Sequence, residues 1–187
     1  MLKLAAIAFM LSTQLVSAQP LFNKETAEIN YGSLASKWAI ALDDIKSDRM
    51  SLHTMIKTQE IIKDASSNDI MILVGRVNRD VNLSIKYTKE EVDTWSTPRD
   101  SIEVGRGDCE DYAIAKFMIL QEFKVPVKMV IGFDKRTKTE HAVLAANVNE
   151  QWVILNNYNH VMVSDIQILN WFEPRFILDN SGVFVIK

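Results

Sequence analysis

Hydrophobic positions in the first half of the chain recur at the three- and four-residue steps of amphipathic helices. This spacing places each set of apolar side chains on one helix face. The pattern therefore predicts three helices between Leu21 and about Asn82, each burying its apolar side in a core. The three sets are Leu34, Trp38, Ala41, Leu42 and Ile45; Leu52, Met55 and Ile56; and Ile70, Leu73, Val74, Val77 and Val81.

A long polar connection over residues 84–106 separates these helices from a fourth. The connection contains Pro98 and ends in the turn Gly105-Arg106-Gly107-Asp108. The helix predicted after this turn cannot continue through Pro126, because proline has no backbone donor and clashes with the preceding turn. Its apolar side consists of Ala113, Ile114, Phe117 and Leu120.

After Pro126 the hydrophobic pattern changes to that of β-strands. Strands are predicted at residues 127–132, 141–148, 151–155 and 183–186, with a short helical piece at residues 165–172 before the last of them. Helices in the first half followed by an antiparallel sheet are typical of an α+β fold.

The first 18 residues have the features of an export signal. Lys3 provides a positive charge, residues 4–16 are mostly apolar, and Val16-Ser17-Ala18 offers the small side chains that signal peptidase requires. We expect cleavage after Ala18, and the length of residues 19–187 suits a single domain with one core. An uncleaved membrane anchor is the alternative interpretation.

Composition limits the classes of function. The chain is 48% hydrophobic and 24% charged, with a formal net charge of −3, which argues against nucleic acid or an anionic membrane as the main partner. Cys109 is the only cysteine, so an exported chain cannot form an internal disulfide. The thiol is then either paired with another molecule, buried and inert, or reactive.

Cys109 stands in the first turn of the fourth predicted helix. The dipole and the unsatisfied N–H groups of a helix N-terminus favour a thiolate, lower the pKa of the thiol and can hold an oxyanion. His141 opens a strand that a helix followed by a hairpin can return to this N-terminus, where it can accept the thiol proton. His53 and His160 fall on a helix surface and in a polar turn. Asn156, at the end of the next strand, is placed to orient His141.

Three stretches around these residues form a recognisable set: Trp95-Ser96-Thr97-Pro98, residues 105–113 with Ala115-Lys116, and His141-Ala142-Val143-Leu144. They resemble the bacterial transglutaminase-like cysteine proteinases of the LapG type. The resemblance implies a papain/transglutaminase-like fold with the nucleophile Cys109 at a helix N-terminus, a periplasmic location, and cleavage of a large surface adhesin near its N-terminus. Such cleavage releases the adhesin and controls biofilm attachment. The family also implies an inner-membrane receptor for a cyclic dinucleotide as regulator.

One position departs from the family pattern. The family has aspartate at the third catalytic position, whereas this chain has Asn156. Asparagine is chemically admissible because the third residue need only accept an imidazole N–H, although a neutral side chain stabilises the imidazolium less.

The resemblance further implies a calcium site at Asp108, Glu110 and Asp111, which flank the nucleophile. Carboxylate oxygens suit Ca²⁺, but three side chains do not complete its coordination shell. Helix capping is the alternative, with Asp108 at the N-cap, Asp111 three residues later and Glu110 complementing the helix dipole. The two roles can coexist.

The sequence leaves three functions open. The first is thiol-dependent peptide hydrolysis by Cys109, His141 and Asn156. The second is transglutaminase or amidase chemistry, which uses the same acyl-enzyme with a different acceptor. The third is an inactive module that binds an adhesin or a receptor.

Overall fold

The computed structural model describes residues 19–30, 32–47, 67–89 and 94–187. The predicted signal segment, the second helical set at Leu52, Met55 and Ile56, and His53 lie outside the described residues. The expected cleavage after Ala18 and the single-domain boundary therefore stay predictions.

The first and third predicted helices are present as α1 (Ser33–Ser47) and α2 (Ser67–Ser84). Both bury the side that the hydrophobic period predicts, with Trp38, Ala41 and Ile45 inside on α1 and Val74 and Val77 inside on α2. Among the described residues, no helix combines the length and the apolar composition needed to cross a membrane.

The predicted connection contains a short helix between two short strands. The strands β2 (Lys86–Tyr87) and β3 (Arg106–Gly107) pair in parallel around α3 (Pro98–Val104). Thr97 caps α3 by accepting the N–H of Asp100 at 3.1 Å, and Gly105 ends it with a φ of 69°, a left-handed conformation that glycine adopts without strain. A helix of this length is too short for its hydrophobic period to be recognised in the sequence.

Helix α4 (Cys109–Glu122) is the centre of the molecule. Every residue from Asp111 to Leu120 is buried, so the helix has no solvent-facing side, whereas the sequence predicted a single apolar face. It packs against α2, α3 and the sheet. Lys116 is enclosed with the rest of the helix and is only 1% exposed.

Within the described ranges, seven strands form one antiparallel sheet. Their order is β1-β9-β8-β4-β5-β6-β7, and a helical turn, α5 (Asp165–Ile168), follows β7. The strands are β1 (Thr26–Ile29), β4 (Val127–Asp134), β5 (Thr139–Val148), β6 (Gln151–Leu155), β7 (Val163–Ser164), β8 (Phe172–Asp179) and β9 (Gly182–Ile186).

The α+β class is confirmed, but three strands of this sheet, β1, β7 and β8, were not predicted, and β1 precedes the helices instead of following them. β1 is a half-exposed edge strand and β7 has only two residues. The predicted helical piece at residues 165–172 ends in fact at Ile168, and Phe172 instead begins β8.

The sheet separates two apolar layers because alternate side chains of each strand point to opposite faces. One face, which includes Met129 and Leu144, packs against α1, α2 and α4. The opposite face, which includes Val130 and Val143, is covered by the segment around Phe22 and by α5.

The burial of Lys116 leads to a prediction about pH and stability. Burial lowers the pKa of Lys116 to about 7. The unfolded chain keeps this proton up to the ordinary lysine pKa, so stability should rise with pH between about 7 and about 10. Lys116→Met removes the charge at similar volume and should flatten this rise. Urea unfolding of both proteins across this range is the measurement, and a constant difference between them at every pH would contradict the prediction.

A second prediction concerns Gly132, which lies at an irregularity in the pairing of β4 with β8. A Cβ atom there would lie 2.7 Å from the Phe172 ring and 2.9 Å from Pro174. We expect Gly132→Ala to lower the free energy of unfolding by about 2 kcal/mol, because the neighbouring strand would have to move.

Gly75→Ala in α2 is the matched control, because its Cβ would meet only the flexible end of Met162 at 3.3 Å. This change should leave stability unchanged or raise it by up to about 1 kcal/mol through helix propensity. Equal melting curves for the two variants would show that the β4–β8 contact tolerates a side chain.

Candidate active site

The turn before Cys109 is organised by the buried carboxylate of Asp111. One oxygen accepts the Asp108 N–H at 3.0 Å, and the other accepts the Ser96 N–H at 2.8 Å. A Cβ atom at Gly107 would lie 2.6 Å from this carboxylate, which explains why glycine occupies that position. The structure therefore gives Asp111 the capping role that the sequence left open, and Asp111 also ties the segment before α3 to α4.

Cys109 is the first residue of α4 and is half-buried. Its thiol donates to the Glu110 carboxylate across 3.1 Å. Burial, followed by the Glu110 charge and this hydrogen bond, raises the pKa of the Cys109 thiol, while a hydrogen bond from the Ala142 backbone opposes the rise. This direction is opposite to the lowering that the sequence analysis expected from the helix terminus, because burial and the adjacent carboxylate both disfavour the thiolate.

His141 is buried near the start of β5, directly opposite Gly132 of β4. Its Nε2 atom lies 3.1 Å from Oδ1 of Asn156, which follows the end of β6. The structure thus brings together the two side chains that the sequence paired. Burial lowers the pKa of His141, and the hydrogen bond with Asn156 partly offsets this effect.

The amide oxygen Oδ1 of Asn156 also determines which nitrogen of His141 carries the proton. The Tyr158 backbone N–H, which can only donate, also points at Asn156 Oδ1 at 3.1 Å. The atom facing both groups is therefore an oxygen, and Nε2 of His141 must donate to it. In the neutral ring, Nδ1 then has the free lone pair and can accept a proton from a thiol.

The imidazole is fixed between two aromatic rings that the sequence analysis missed. Tyr158 stacks on His141 with ring centroids 4.5 Å apart and an interplanar angle of 4°, and Phe172 meets the imidazole edge-on at 6.3 Å. Neither contact has a local signal, because Tyr158 lies in a polar turn and Phe172 was assigned to a helix. The two rings restrict rotation of the imidazole out of the Asn156 hydrogen bond.

An ion pair between the buried carboxylate of Asp134 and the half-exposed guanidinium of Arg136 lies against Tyr158. Asp134, which is fully buried, accepts hydrogen bonds from the Arg136 guanidinium at 2.9 Å and from the Arg136 backbone at 2.8 Å. The guanidinium lies 3.5 Å from the Trp171 ring centroid and 5.3 Å from that of Tyr158. Although burial opposes it, bonding to Arg136 holds the pKa of Asp134 below its usual value.

Cys109 and His141 line one cleft of about 550 Å³. This volume lies within the range of sites that bind small molecules or a short stretch of chain. Its walls combine apolar surface with charges of both signs. The other lining side chains include Leu34, Lys37, Tyr87, Lys89, Trp95, Asp108, Glu110, Ile131, Glu140 and Phe176. His160, by contrast, is exposed on the loop after β6.

The cleft also contains a candidate group of cation ligands. Atoms of Asp108, Cys109 and Glu110 that could coordinate a metal lie within 4.8 Å of one another. Asp111 is not part of this group, and its two oxygens accept the N–H groups of Asp108 and Ser96. The three acidic residues predicted as ligands are thus divided between Asp108 and Glu110 at the cleft and Asp111 in the turn.

Two solved structures have a fold similar to that of this chain. Legionella pneumophila LapG in its calcium-bound form superposes with a TM-score of 0.60 at 18% identity, covering 79% of this chain and 87% of that chain. EGTA-treated LapG gives 0.61 at 19% identity, covering 86% and 88%. These matches establish a shared fold. No curated protein matches the chain at a significant level.

A family model described as bacterial transglutaminase-like cysteine proteinase, BTLCP, matches residues 48–181. This span is more than half of the chain and contains Cys109, His141 and Asn156. The chain therefore belongs to the bacterial transglutaminase-like cysteine proteinase family.

Proposed function

We propose that this protein is a calcium-dependent cysteine endopeptidase of the periplasm that cleaves a large surface adhesin near its N-terminus. The observation that carries the peptidase assignment is the shared cleft of Cys109 and His141, with Asn156 hydrogen-bonded to the imidazole. Adhesin release, control of biofilm attachment and regulation by an inner-membrane cyclic-dinucleotide receptor rest on the family resemblance. The periplasmic location rests on the export signal predicted in residues 1–18.

In the proposed reaction, Nδ1 of His141 accepts the thiol proton while the sulfur of Cys109 attacks the peptide carbonyl. Backbone N–H groups at the start of α4 stabilise the oxyanion. His141 then gives the proton to the leaving amine, which departs and leaves a thioester on Cys109. Water, deprotonated by His141, attacks the thioester, and the released thiol recovers its proton. Asn156 keeps Nε2–H engaged throughout and so presents Nδ1 to the sulfur.

The carboxylates of Asp108 and Glu110 suit a calcium ion, because Ca²⁺ prefers oxygen ligands and the Cys109 sulfur is a poor one. Two side chains supply only part of the coordination shell, and backbone carbonyls or water would supply the rest. A bound ion would compensate the Glu110 charge that raises the pKa of Cys109. That LapG was solved in calcium-bound and EGTA-treated forms supports the choice of ion.

The first test uses an N-terminal fragment of a large repeat adhesin from the same genome, with an internal repeat fragment as the control substrate. We expect cleavage of the first fragment alone. Supplying a primary amine and identifying the products by mass separates hydrolysis from amine transfer. Transfer of the amine in preference to water would favour transglutaminase chemistry, and failure to cleave the fragment would contradict the adhesin assignment.

Cys109→Ala and His141→Ala should each reduce hydrolysis by at least about 10³-fold, since nucleophile and base act as a unit. The exposed histidine variant His160→Ala is the matched control and should keep the parental rate. Cys109→Ala and His160→Ala should keep the parental melting temperature, whereas His141→Ala, which removes a buried ring packed against Tyr158 and Phe172, should melt lower but still fold. Retention of substantial activity by either cleft variant, in folded protein, would exclude the proposed pair.

Calcium removal should suppress hydrolysis, and added Ca²⁺ should restore it more effectively than Mg²⁺, which demands a smaller and more regular oxygen shell. Binding to the folded chain alone should also raise the melting temperature as the Ca²⁺ concentration rises. Titrating both ions into chelator-treated protein, with activity and melting followed in the same samples, measures both effects.

Asp108→Asn should weaken the calcium response, whereas Asp100→Asn should not. Asp100 is the matched control because it is an exposed carboxylate in the first turn of α3, away from the cleft. If the parent protein shows no response to Ca²⁺ in either measurement, Asp108 and Glu110 serve only the helix terminus and the calcium proposal fails.

A further inference from the structure

The backbone carbonyl of Asn156 is held from the protein interior by two side chains. Asn82 of α2 donates from Nδ2 across 2.8 Å, and Lys116 of α4 donates from Nζ across 3.2 Å. Asn82 also donates to the carbonyl of Asn159 at 2.9 Å. Asn156 therefore contacts His141 through its side chain, while two neighbouring helices fix its backbone.

Strand pairing does not fix Asn156 by itself. β6 ends at Leu155, and residues 156–162 form the loop that leads to β7. Asn159 and His160 in this loop are exposed, and Tyr158 packs on the His141 ring and not on the helical layer. The donors from α2 and α4 are thus the contacts that tie the start of the loop to the helical layer.

Stability does not account for a lysine at position 116. Its amine is buried among apolar neighbours, with the Asn156 carbonyl as acceptor and the Tyr112 ring 5.8 Å away. None of the salt bridges found among the described residues includes it. Burying an amine without a carboxylate is costly, and an unbranched apolar side chain would fill the space at lower cost.

The face of α2 that bears Asn82 continues along the same loop. Gly75 and Asn78 lie on this face, and a Cβ atom at Gly75 would meet Met162 at the far end of the loop. Asn78 is completely buried. The loop therefore lies along a stripe of small and polar residues, which is unusual for a helix side that packs inside a protein.

We propose that Lys116 and Asn82 are positioning residues that hold the Asn156 carbonyl and thereby keep the Asn156 amide on His141. Neither residue contacts the substrate in this scheme. The inference rests on the proposed peptidase function, because the orientation of His141 affects turnover only if His141 exchanges protons with Cys109. Lys116 can act in either protonation state, since the amine and the ammonium both donate hydrogen bonds.

The kinetic test compares Lys116→Met and Asn82→Ala with the parent at neutral pH. Each should lower kcat by about 10- to 100-fold and leave KM almost unchanged, because misplacing a proton-transfer group impairs the chemical step. Lys46→Met on α1 and Arg79→Ala on α2 are the matched controls. They introduce the same replacement residues at exposed helix positions and should keep the parental kcat. An unchanged kcat in both Lys116→Met and Asn82→Ala overturns the inference.

A double-mutant cycle with Asn156→Ala separates positioning from a general structural role. In the Asn156→Ala background the amide that hydrogen-bonds to His141 is absent. Adding Lys116→Met or Asn82→Ala should therefore change kcat by less than about twofold. If either change lowers kcat as strongly in this background as in the parent, the two residues act by another route and the inference is wrong.

A measurement independent of turnover uses ¹⁵N-histidine-labelled protein. The Nε2 proton of His141, assigned by its loss in His141→Ala, should exchange slowly with solvent in the parent and faster in Lys116→Met and Asn82→Ala. Equal exchange in the parent and both variants overturns the positioning role. A parent that shows this protected proton but hydrolyses no peptide would instead disprove the proposed function, so the two failures are distinguishable.

Discussion

The complete burial of α4 is the constraint on which the site depends. A helix that is enclosed from Asp111 to Leu120 cannot shift or rotate without disturbing both the sheet and the helical layer. Its N-terminus is therefore fixed against β5, and Cys109 lies beside Ala142, the residue after His141. The two polar side chains enclosed with the helix, Asp111 and Lys116, attach the flanking segments to this rigid element.

Burial also disfavours charge on both members of the reactive pair. It raises the pKa of the Cys109 thiol and lowers that of the His141 imidazole, so both shifts favour a neutral thiol and a neutral ring over a thiolate and an imidazolium. Glu110 increases this preference by accepting the thiol proton in a hydrogen bond. Compensation of the Glu110 charge is thus the change that most directly favours proton transfer to His141.

Much of the architecture was predictable because it has a local signal. The apolar periods of α1, α2 and α4 and the apolar runs of β4–β6 reflect burial that neighbouring residues share. β8 lacked this signal, since Glu173, Pro174 and Arg175 interrupt its apolar positions, and only pairing with β4 and β9 defines it.

In the site, Cys109, His141 and Asn156 could be predicted because each stands at a recognisable helix or strand boundary. The roles of Lys116 and Tyr158 could not, because each depends on contacts between distant segments or across a loop, as in the bond from Lys116 to Asn156. The direction of the Cys109 pKa shift was missed for a related reason. The sequence indicates a helix terminus, but it does not reveal how much water the fold excludes there.

The neutral Asn156 also affects the electrostatics of the site. It supplies the hydrogen bond that orients His141 but no charge to stabilise an imidazolium, while Arg136 and Lys116 lower the pKa of His141 further. Ionisation of Cys109 is therefore opposed first by burial, and then by the carboxylates of Glu110 and Asp108 on its own side of the cleft.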